Sequence, residues 1–541
     1  MLDRLGPYNA WWRGAVIYQI YPRSFADTNG DGIGDLPGVT AHLDHVARLG
    51  VDAIWLCPVF ASPQRDFGYD VSDHTAIDPA FGTLADFDAM VARAHSLGLR
   101  VLIDQVWSHT SDQHGWFAQS RASPDNPRAD WYVWADPAED GTPPNNWLSV
   151  FGGAAWSWEP RRRQYYLHHF LSHQPQLNLH NPHVQDALLE TGRFWLDRGV
   201  DGFRLDALDF FTHDTRLRNN PAAPPGPVGA KLFSRQLHDH DMMQPETEIF
   251  LARIRALTSA YPGCVTLGEV SSQDGAYDRC RGYTRGDTLH MAYSLRPARG
   301  GFDWHSVRAL VAEAASPDGW MCWSFSNHDV ERAISRWNPA RGLGTQPDGR
   351  FAQLLMALQL SLRGSVLVYQ GEELGLTEAE LSADQLRDPF GIAYWPEFRG
   401  RDGSRTPIPW QADAPNAGFS SAPPWLPVPQ EHLALAVDAQ EADRSALLHD
   451  WRRFLSFRRA HPALSSGTLE ILELPEPLIG FVRRCDGDEV TCLFNLSNSP
   501  VRLSGAPIGP DELAAYGTAF VVASAQPPRL MWEASADYAA S

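Results

Sequence analysis

Cysteine is scarce and never clustered: the six in the chain (Cys57, Cys264, Cys280, Cys322, Cys485, Cys492) lie far apart, and no two form a C-x-x-C pair. This spacing suggests neither a zinc site nor a disulfide framework; buried free thiols are expected, with Cys57, Cys264 and Cys322 inside apolar strand-like runs. No uninterrupted apolar run of about 18 residues is present, so no membrane-spanning helix is expected. The opening segment Met1-Leu2-Asp3-Arg4-Leu5-Gly6-Pro7 lacks the basic and apolar regions of a signal peptide, and a cytoplasmic protein is expected. Positive charge is outnumbered too: 45 basic against 65 acidic residues give a formal charge of -20. The acids are scattered rather than gathered in a tail, which argues against nucleic acid or an anionic membrane as partner.

What is present is a chain of 541 residues, 43% hydrophobic and 20% charged, long enough for a large barrel with smaller modules. Short apolar runs alternate with amphipathic stretches, the pattern of repeated βα units around a parallel sheet. The runs are Ala15 to Tyr21, Ala53 to Pro58, Arg100 to Asp104, Gly202 to Asp206, Val265 to Glu269, Met291 to Ser294, Met321 to Phe325 and Val366 to Tyr369. Helical periodicity falls on Leu84 to Ala94, Val184 to Asp197, Glu248 to Ser259 and Phe351 to Leu362. The fold class expected is α/β, a (β/α)8 TIM barrel with an inserted lobe after strand 3 and a C-terminal antiparallel β-domain. The barrel would take residues 1–104 and 176–464, the lobe 105–175 and the β-domain 465–541. A further excursion from Thr212 to Gln244, rich in proline, reads as an exposed loop or a lid.

In a parallel barrel the reactive groups gather where strands end. Here His109 follows the third run, Arg204 and Asp206 close the fourth, Glu269 closes the fifth, and His328 with Asp329 follow the seventh. Any one such carboxylate is ordinarily a helix cap; three carboxylates, two histidines and an arginine at one end of separate strands point to a single pocket. Cleaving a glycosidic bond needs one carboxylate ionised and another protonated. Asp206 lies two residues from Arg204, on the same strand face, where a cation favours ionisation, and Glu269 ends an apolar run that favours the protonated acid.

A separate signal is Asp27-Thr28-Asn29-Gly30-Asp31-Gly32-Ile33-Gly34-Asp35, whose alternating oxygen ligands open like an EF-hand calcium loop. Position twelve is Gly38 rather than a bidentate glutamate, so a full EF-hand is excluded. Either this is a Gly/Asp turn without metal, or Asp27, Asn29, Asp31, the Ile33 carbonyl and Asp35 hold a cation. Six tryptophans in the lobe (Trp116, Trp131, Trp134, Trp147, Trp156, Trp158) are read as its own small core.

These motifs, with Val16 to Phe25, Asn327-His328-Asp329, Gly400 to Pro407 and His461 to Leu464, resemble glycoside hydrolase family 13, the α-amylase superfamily, nearly end to end. The nearest likeness is to exo-acting α-glucosidases, oligo-1,6-glucosidases and sucrose hydrolases. The resemblance implies Asp206 as nucleophile, Glu269 as acid/base and Asp329 as transition-state stabiliser, with His109 and His328 on glucose hydroxyls and Arg204 orienting Asp206. It further implies Tyr69 as stacking platform, an Asp66–Arg401 pair blocking the far end of the glucose pocket, and Phe151 and Phe170 flanking it. It makes the Asp27 loop a structural Ca²⁺ or Mg²⁺ site, with no organic cofactor.

Two departures matter: Ser108 precedes His109 where the family usually has Asn, and Ala207 follows Asp206 where members cutting α-1,6 bonds tend to carry Val. The second leans the expectation toward maltose-like α-1,4 disaccharides or sucrose. The rival readings are a transglucosylase with the same residues and a non-catalytic barrel serving as an interaction partner.

Overall fold

The computed structural model describes residues 10–225, 231–272, 275–339, 349–503, 510–523 and 529–533. The Met1 to Pro7 segment, and Gly226 and Pro227 of the proline-rich excursion, lie outside the described residues.

Eight strands form one parallel sheet: β1 (Val16–Ile20), β2 (Ala53–Leu56), β3 (Arg100–Gln105), β4 (Gly202–Leu205), β5 (Val265–Val270), β6 (Met291–Ser294), β7 (Cys322–Ser324) and β8 (Ser365–Tyr369). Their hydrogen-bonded order is β6-β5-β4-β3-β2-β1-β8-β7. A parallel bridge between Ala292 and Met321 joins β6 to β7 and closes the barrel. Each strand is followed by a helix on the outside: α1 (Leu36–Leu49), α2 (Leu84–Ser96), α3 (Pro182–Leu196), α4 (Thr247–Ser259), α5 (Ala276–Tyr283), α6 (Trp304–Ala315), α7 (Gly349–Ser361) and α8 (Leu447–Ala460). The chain stops and starts these helices with ordinary chemistry. Thr83 and Asp86 form a reciprocal capping box on α2, and Gly50 ends α1 in the left-handed conformation.

Strand alternation builds two cores. Val16, Tyr18 and Ile20 point outward against the helices, while Ile17, Trp55, Leu102, Leu267, Met291 and Leu367 fill the barrel. Residues 443–446 turn ahead of α8, and Asp443 caps that turn by accepting from Ser445. The tail forms an antiparallel sheet of Thr468–Leu472, Leu478–Cys485, Asp488–Asn495, Thr518–Val522 and Arg529–Glu533. Between β3 and α3 a lobe holds a three-stranded sheet of Trp134–Ala135, Trp156–Glu159 and Gln164–Leu167. Val133, Trp147, Trp156 and Leu167 form its core, whereas Trp158 is exposed.

Candidate active site

The inward-facing rows of the barrel turn polar near the strand ends. Two residues beyond Ile17, Leu102, Leu267 and Met291, on the same faces, stand Gln19, Asp104, Glu269 and Tyr293. Arg204 of β4 lies at their centre, fully buried. Its guanidinium donates to Asp104 at 2.7 and 2.9 Å, to Asp206 at 2.7 Å and to the Tyr293 hydroxyl at 2.8 and 3.2 Å. It also lies 2.6 Å from Glu269 Oε2 and 4.6 Å above the Trp55 ring. Gly268 beside Glu269 leaves room for two leucines: a Cβ there would come within 2.4 Å of Leu208 Cδ1 and 2.5 Å of Leu289 Cδ1, so those side chains would have to shift.

One cation therefore serves three buried carboxylates. Burial raises Asp206 to about 7 and Glu269 to about 7, and Asp104 to about 6, with Arg204 pulling each the other way. The pairing expected from sequence, in which Arg204 keeps Asp206 ionised, is thus incomplete: Arg204 is shared, and burial outweighs it. A single guanidinium cannot neutralise three carboxylates, so the cluster retains a proton near neutral pH and titrates as a unit.

Asp329 behaves in the opposite way. Burial would raise its pKa, but His328, Arg401 and Arg405 overcome that and hold it well below the usual carboxylate range. Arg405 donates to Asp329 Oδ1 at 2.8 Å and Arg401 does so at 3.3 Å. His328 lies 3.5 Å from Oδ2, held by Gln19 at 2.7 Å and stacked on Tyr69 with centroids 5.2 Å apart.

These groups open on a cavity of about 1630 Å³ whose wall includes Asp66, Tyr69, His109, Phe151, Phe170, Asp206, Glu269, Asp329 and Arg401. Arg204 and His328 stand behind that wall. Arg401 reaches Asp66 Oδ1 at 2.8 Å and Asp388 at 2.7 and 3.1 Å. Gln174 donates to Asp66 Oδ2 at 2.9 Å and meets His109 Nε2 at 3.2 Å. The departure at Ser108 has a visible consequence, since its hydroxyl contacts His109 Nδ1 at 2.9 Å. Phe170 packs on His109 at 5.1 Å, and the Arg401 guanidinium lies 5.3 Å from the Phe151 ring.

Sequence reasoning missed Asp104, Gln174, Tyr293, Asp388 and Arg405 as site residues. Asp104 and Arg405 lay inside stretches singled out for other reasons, and the alternation rule applied to β3 finds Asp104. Gln174 and Asp388 sit in irregular segments with no periodic signal.

The Asp27 loop is folded by successive side-chain-to-backbone turns. Asp27 accepts from Asn29, Gly30 and Gly32, Asn29 from Asp31, and Asp31 from Ile33. Asp35 caps α1 by accepting from Gly38 at 2.7 Å and also holds Thr28. None of these residues borders the cavity. The donor set is all oxygen, the kind a hard divalent cation takes. Among the described residues no group of three His, Cys, Asp or Glu is placed to ligate a metal; Asp27, Asn29 and Asp35 accept from amides and hydroxyls, Ser420 among them, and Asp31 accepts through Oδ1.

Residues 19–467 match the model of the alpha amylase catalytic domain. The chain belongs to that family. It is 54% identical over 510 residues to a probable alpha-glucosidase of Rhizobium meliloti (strain 1021), covering 91% of each chain. It is 35% identical to an oligo-1,6-glucosidase of Heyndrickxia coagulans, covering 91% of this chain and 93% of that one. Among solved structures, the alpha-glucosyl transfer enzyme XgtA superposes with a TM-score of 0.90 at 50% identity, covering 95% of this chain and 99% of that one. The protein is a glycoside hydrolase of family 13, in the exo-acting glucosidase branch. No described helix is long and apolar enough to cross a membrane.

Proposed function

We propose that the protein is a retaining exo-α-glucosidase that releases glucose from the non-reducing end of small α-glucosides, maltose-like α-1,4 disaccharides or sucrose. The observation that carries the exo reading is the Arg401 bridge to Asp66 and Asp388, which puts charged groups where a further sugar would have to sit.

In this reading the shared proton of the Arg204 cluster resides on Glu269. Asp206 attacks the anomeric carbon as the carboxylate while Glu269 protonates the departing oxygen. This gives a β-glucosyl ester on Asp206 and a free leaving group. Water deprotonated by Glu269 then attacks the same carbon, returning α-glucose and restoring both groups. Asp329, held ionised by Arg401 and Arg405, faces the oxocarbenium-like charge in both steps. The likeness to XgtA favours one second reading: a sugar or other hydroxyl replaces water and the product is a new α-glucoside.

For the loop we propose a structural Ca²⁺ or Mg²⁺ on Asp27, Asn29, Asp31, the Ile33 carbonyl and Asp35. It would supply positive charge to a carboxylate-rich turn that caps α1. The proposed compartment is the cytoplasm, supported by six free thiols.

The test is hydrolysis of sucrose, maltose, isomaltose and trehalose, with the anomer of the first glucose released followed by NMR. Initial α-glucose is expected from sucrose, whose leaving group is fructose, or from the non-reducing unit of maltose. Initial β-glucose from that unit, or exclusive cleavage of isomaltose, overturns the reading; product larger than substrate at high concentration selects transfer.

A further inference from the structure

The turn that follows Asp206 is strained. Ala207 lies in the left-handed region, where a residue with a Cβ stays only if its surroundings hold it. Its backbone amide donates to Glu269 Oε2, so whatever holds the turn also holds the carboxyl group proposed as acid/base. Part of the restraint is packing: Gly268 has no side chain, and Leu208 of the turn lies directly on β5 beside Glu269.

The rest converges on Asp209, two residues past Ala207 in the short helical turn Leu208–Phe210 and fully buried. Its Oδ2 accepts from the Ser272 amide at 2.7 Å. Ser272 stands just beyond β5, on the loop that leaves Glu269, and lines the cavity. Asp209 Oδ1 lies 3.3 Å from Arg279 Nε of α5, and the same guanidinium donates to the Ser272 hydroxyl at 2.8 and 3.3 Å. The Asp209 carbonyl accepts from the Met243 amide at 2.6 Å, and Met243 also lines the cavity. A helix cap accepts from its own first turn; the Ser272 amide is 63 residues away along the chain. One side chain and its carbonyl thus join the turn after Asp206, the loop after Glu269 and the end of the excursion between β4 and α4.

We infer that Asp209 is a positioning residue of the reaction: by fastening the turn after Asp206 to the loop after Glu269, it holds the Ala207 amide against Glu269 Oε2. This rests on the α-glucosidase reading above. Burial, then Asp206 and Asp329, favour the protonated form of Glu269, while Arg204 and the Ala207 amide favour the ionised form; the Arg299 charge faces it as well. Loosening the turn removes the amide and favours the protonated form. A role of Asp209 through charge alone has the opposite sign, because deleting a nearby negative charge favours the ionised form.

kcat/KM of Asp209→Ala across pH, on the better of maltose and sucrose and on 4-nitrophenyl α-glucoside, tests it. With the disaccharide kcat/KM should fall by about tenfold, the size of one hydrogen bond to an ionisable group. The loss should be smaller with 4-nitrophenyl α-glucoside, whose leaving group needs no proton. The basic limb, where Glu269 loses its proton, should move to higher pH. Asp209→Asn keeps an acceptor for the Ser272 amide and drops the charge; it should restore most of kcat/KM, with the limb at or below its wild-type position. Asp209→Leu, with the same branching and no acceptor, replaces the alanine variant if that one does not fold. Equal losses on the two substrates overturn the inference, as does a basic limb that stays or moves to lower pH in the folded Ala or Leu variant. An Asp209→Asn enzyme that itself loses about tenfold overturns it whatever the other variants do. Failure of the wild-type enzyme on maltose, sucrose and 4-nitrophenyl α-glucoside alike overturns the α-glucosidase reading instead.

Discussion

The backbone amide of Ala207 donates to Glu269 Oε2 at 3.1 Å, so the residue after Asp206 helps to hold the carboxyl group proposed as acid/base. Ala207 adopts φ 46° and ψ 51°, the left-handed region. A non-glycine residue there costs about 1–2 kcal/mol, and the cost is greatest for β-branched side chains.

The Ala207 conformation sets a pair of opposed variants. Ala207→Gly retains the amide and accepts the conformation, so its activity should stay within about threefold of wild type, about 0.7 kcal/mol. Ala207→Val places a branched Cβ in the same region, beside Phe210 and Met242. It should lower stability beyond the cost Ala207 already carries and reduce kcat. Urea denaturation with parallel kinetics checks both, and a Val variant as stable as wild type would show that the turn relaxes freely.

Glu269→Gln keeps the shape of the side chain and removes its proton chemistry. Turnover of an unactivated disaccharide should fall by about 10²–10⁴, with the circular dichroism spectrum unchanged. A substrate with a good leaving group, such as 4-nitrophenyl α-glucoside, should lose much less in the glycosylation step. Near-normal maltose or sucrose turnover would remove Glu269 from the acid/base role.

Arg401 ties together Asp66, Asp388 and Asp329. Replacing it by Met leaves those carboxylates without their shared cation, an uncompensated buried charge that typically costs about 3–5 kcal/mol. The Asp329 pKa, now held low by His328, Arg401 and Arg405, should rise toward the ordinary range. The acid limb of the kcat/KM profile should therefore move to higher pH. An unshifted acid limb in a folded Arg401→Met enzyme would show that Asp329 does not govern it.

Glu378 gives a stability prediction with a definite sign. Burial raises its pKa from 4.5 to about 8, so the folded protein holds a proton that the unfolded chain releases. The folded form binds more protons between those values, and its stability falls as pH rises from about 4.5 to about 8. Glu378→Gln should remove about one proton's worth of that slope, gaining on wild type at pH 8 relative to pH 5. Parallel slopes for the two proteins across this window would refute the assignment.

The barrel was legible because its signal is periodic: alternation of two in the strands and about 3.6 in the helices, with polar residues where the strands end. Asp206, Glu269 and Arg204 followed from that alone, being placed by regular strands. Asp66, Tyr69, Phe151, Phe170 and Arg401 came only through family likeness, because irregular segments bring them to the cavity and spacing along the chain encodes no such meeting. Asp388 and Gln174 had neither source.

The Asp27 loop gathers Asp27, Asp31 and Asp35 within nine residues, and Asp35 caps α1. Without a cation the side-chain-to-amide turns would have to hold this charge against its own repulsion. A bound Ca²⁺ or Mg²⁺ would stabilise the folded state by mass action, by about 2.7 kcal/mol at a hundredfold excess over Kd. Chelation should therefore lower Tm by several degrees while the initial rate at 25 °C changes little, because none of the loop residues borders the cavity. Asp31→Ala should lower Tm in buffer with metal and make it insensitive to chelator. Identical melting of the wild-type protein with and without chelator, after exhaustive dialysis, would leave the loop as a metal-free turn that caps α1 through Asp35 alone.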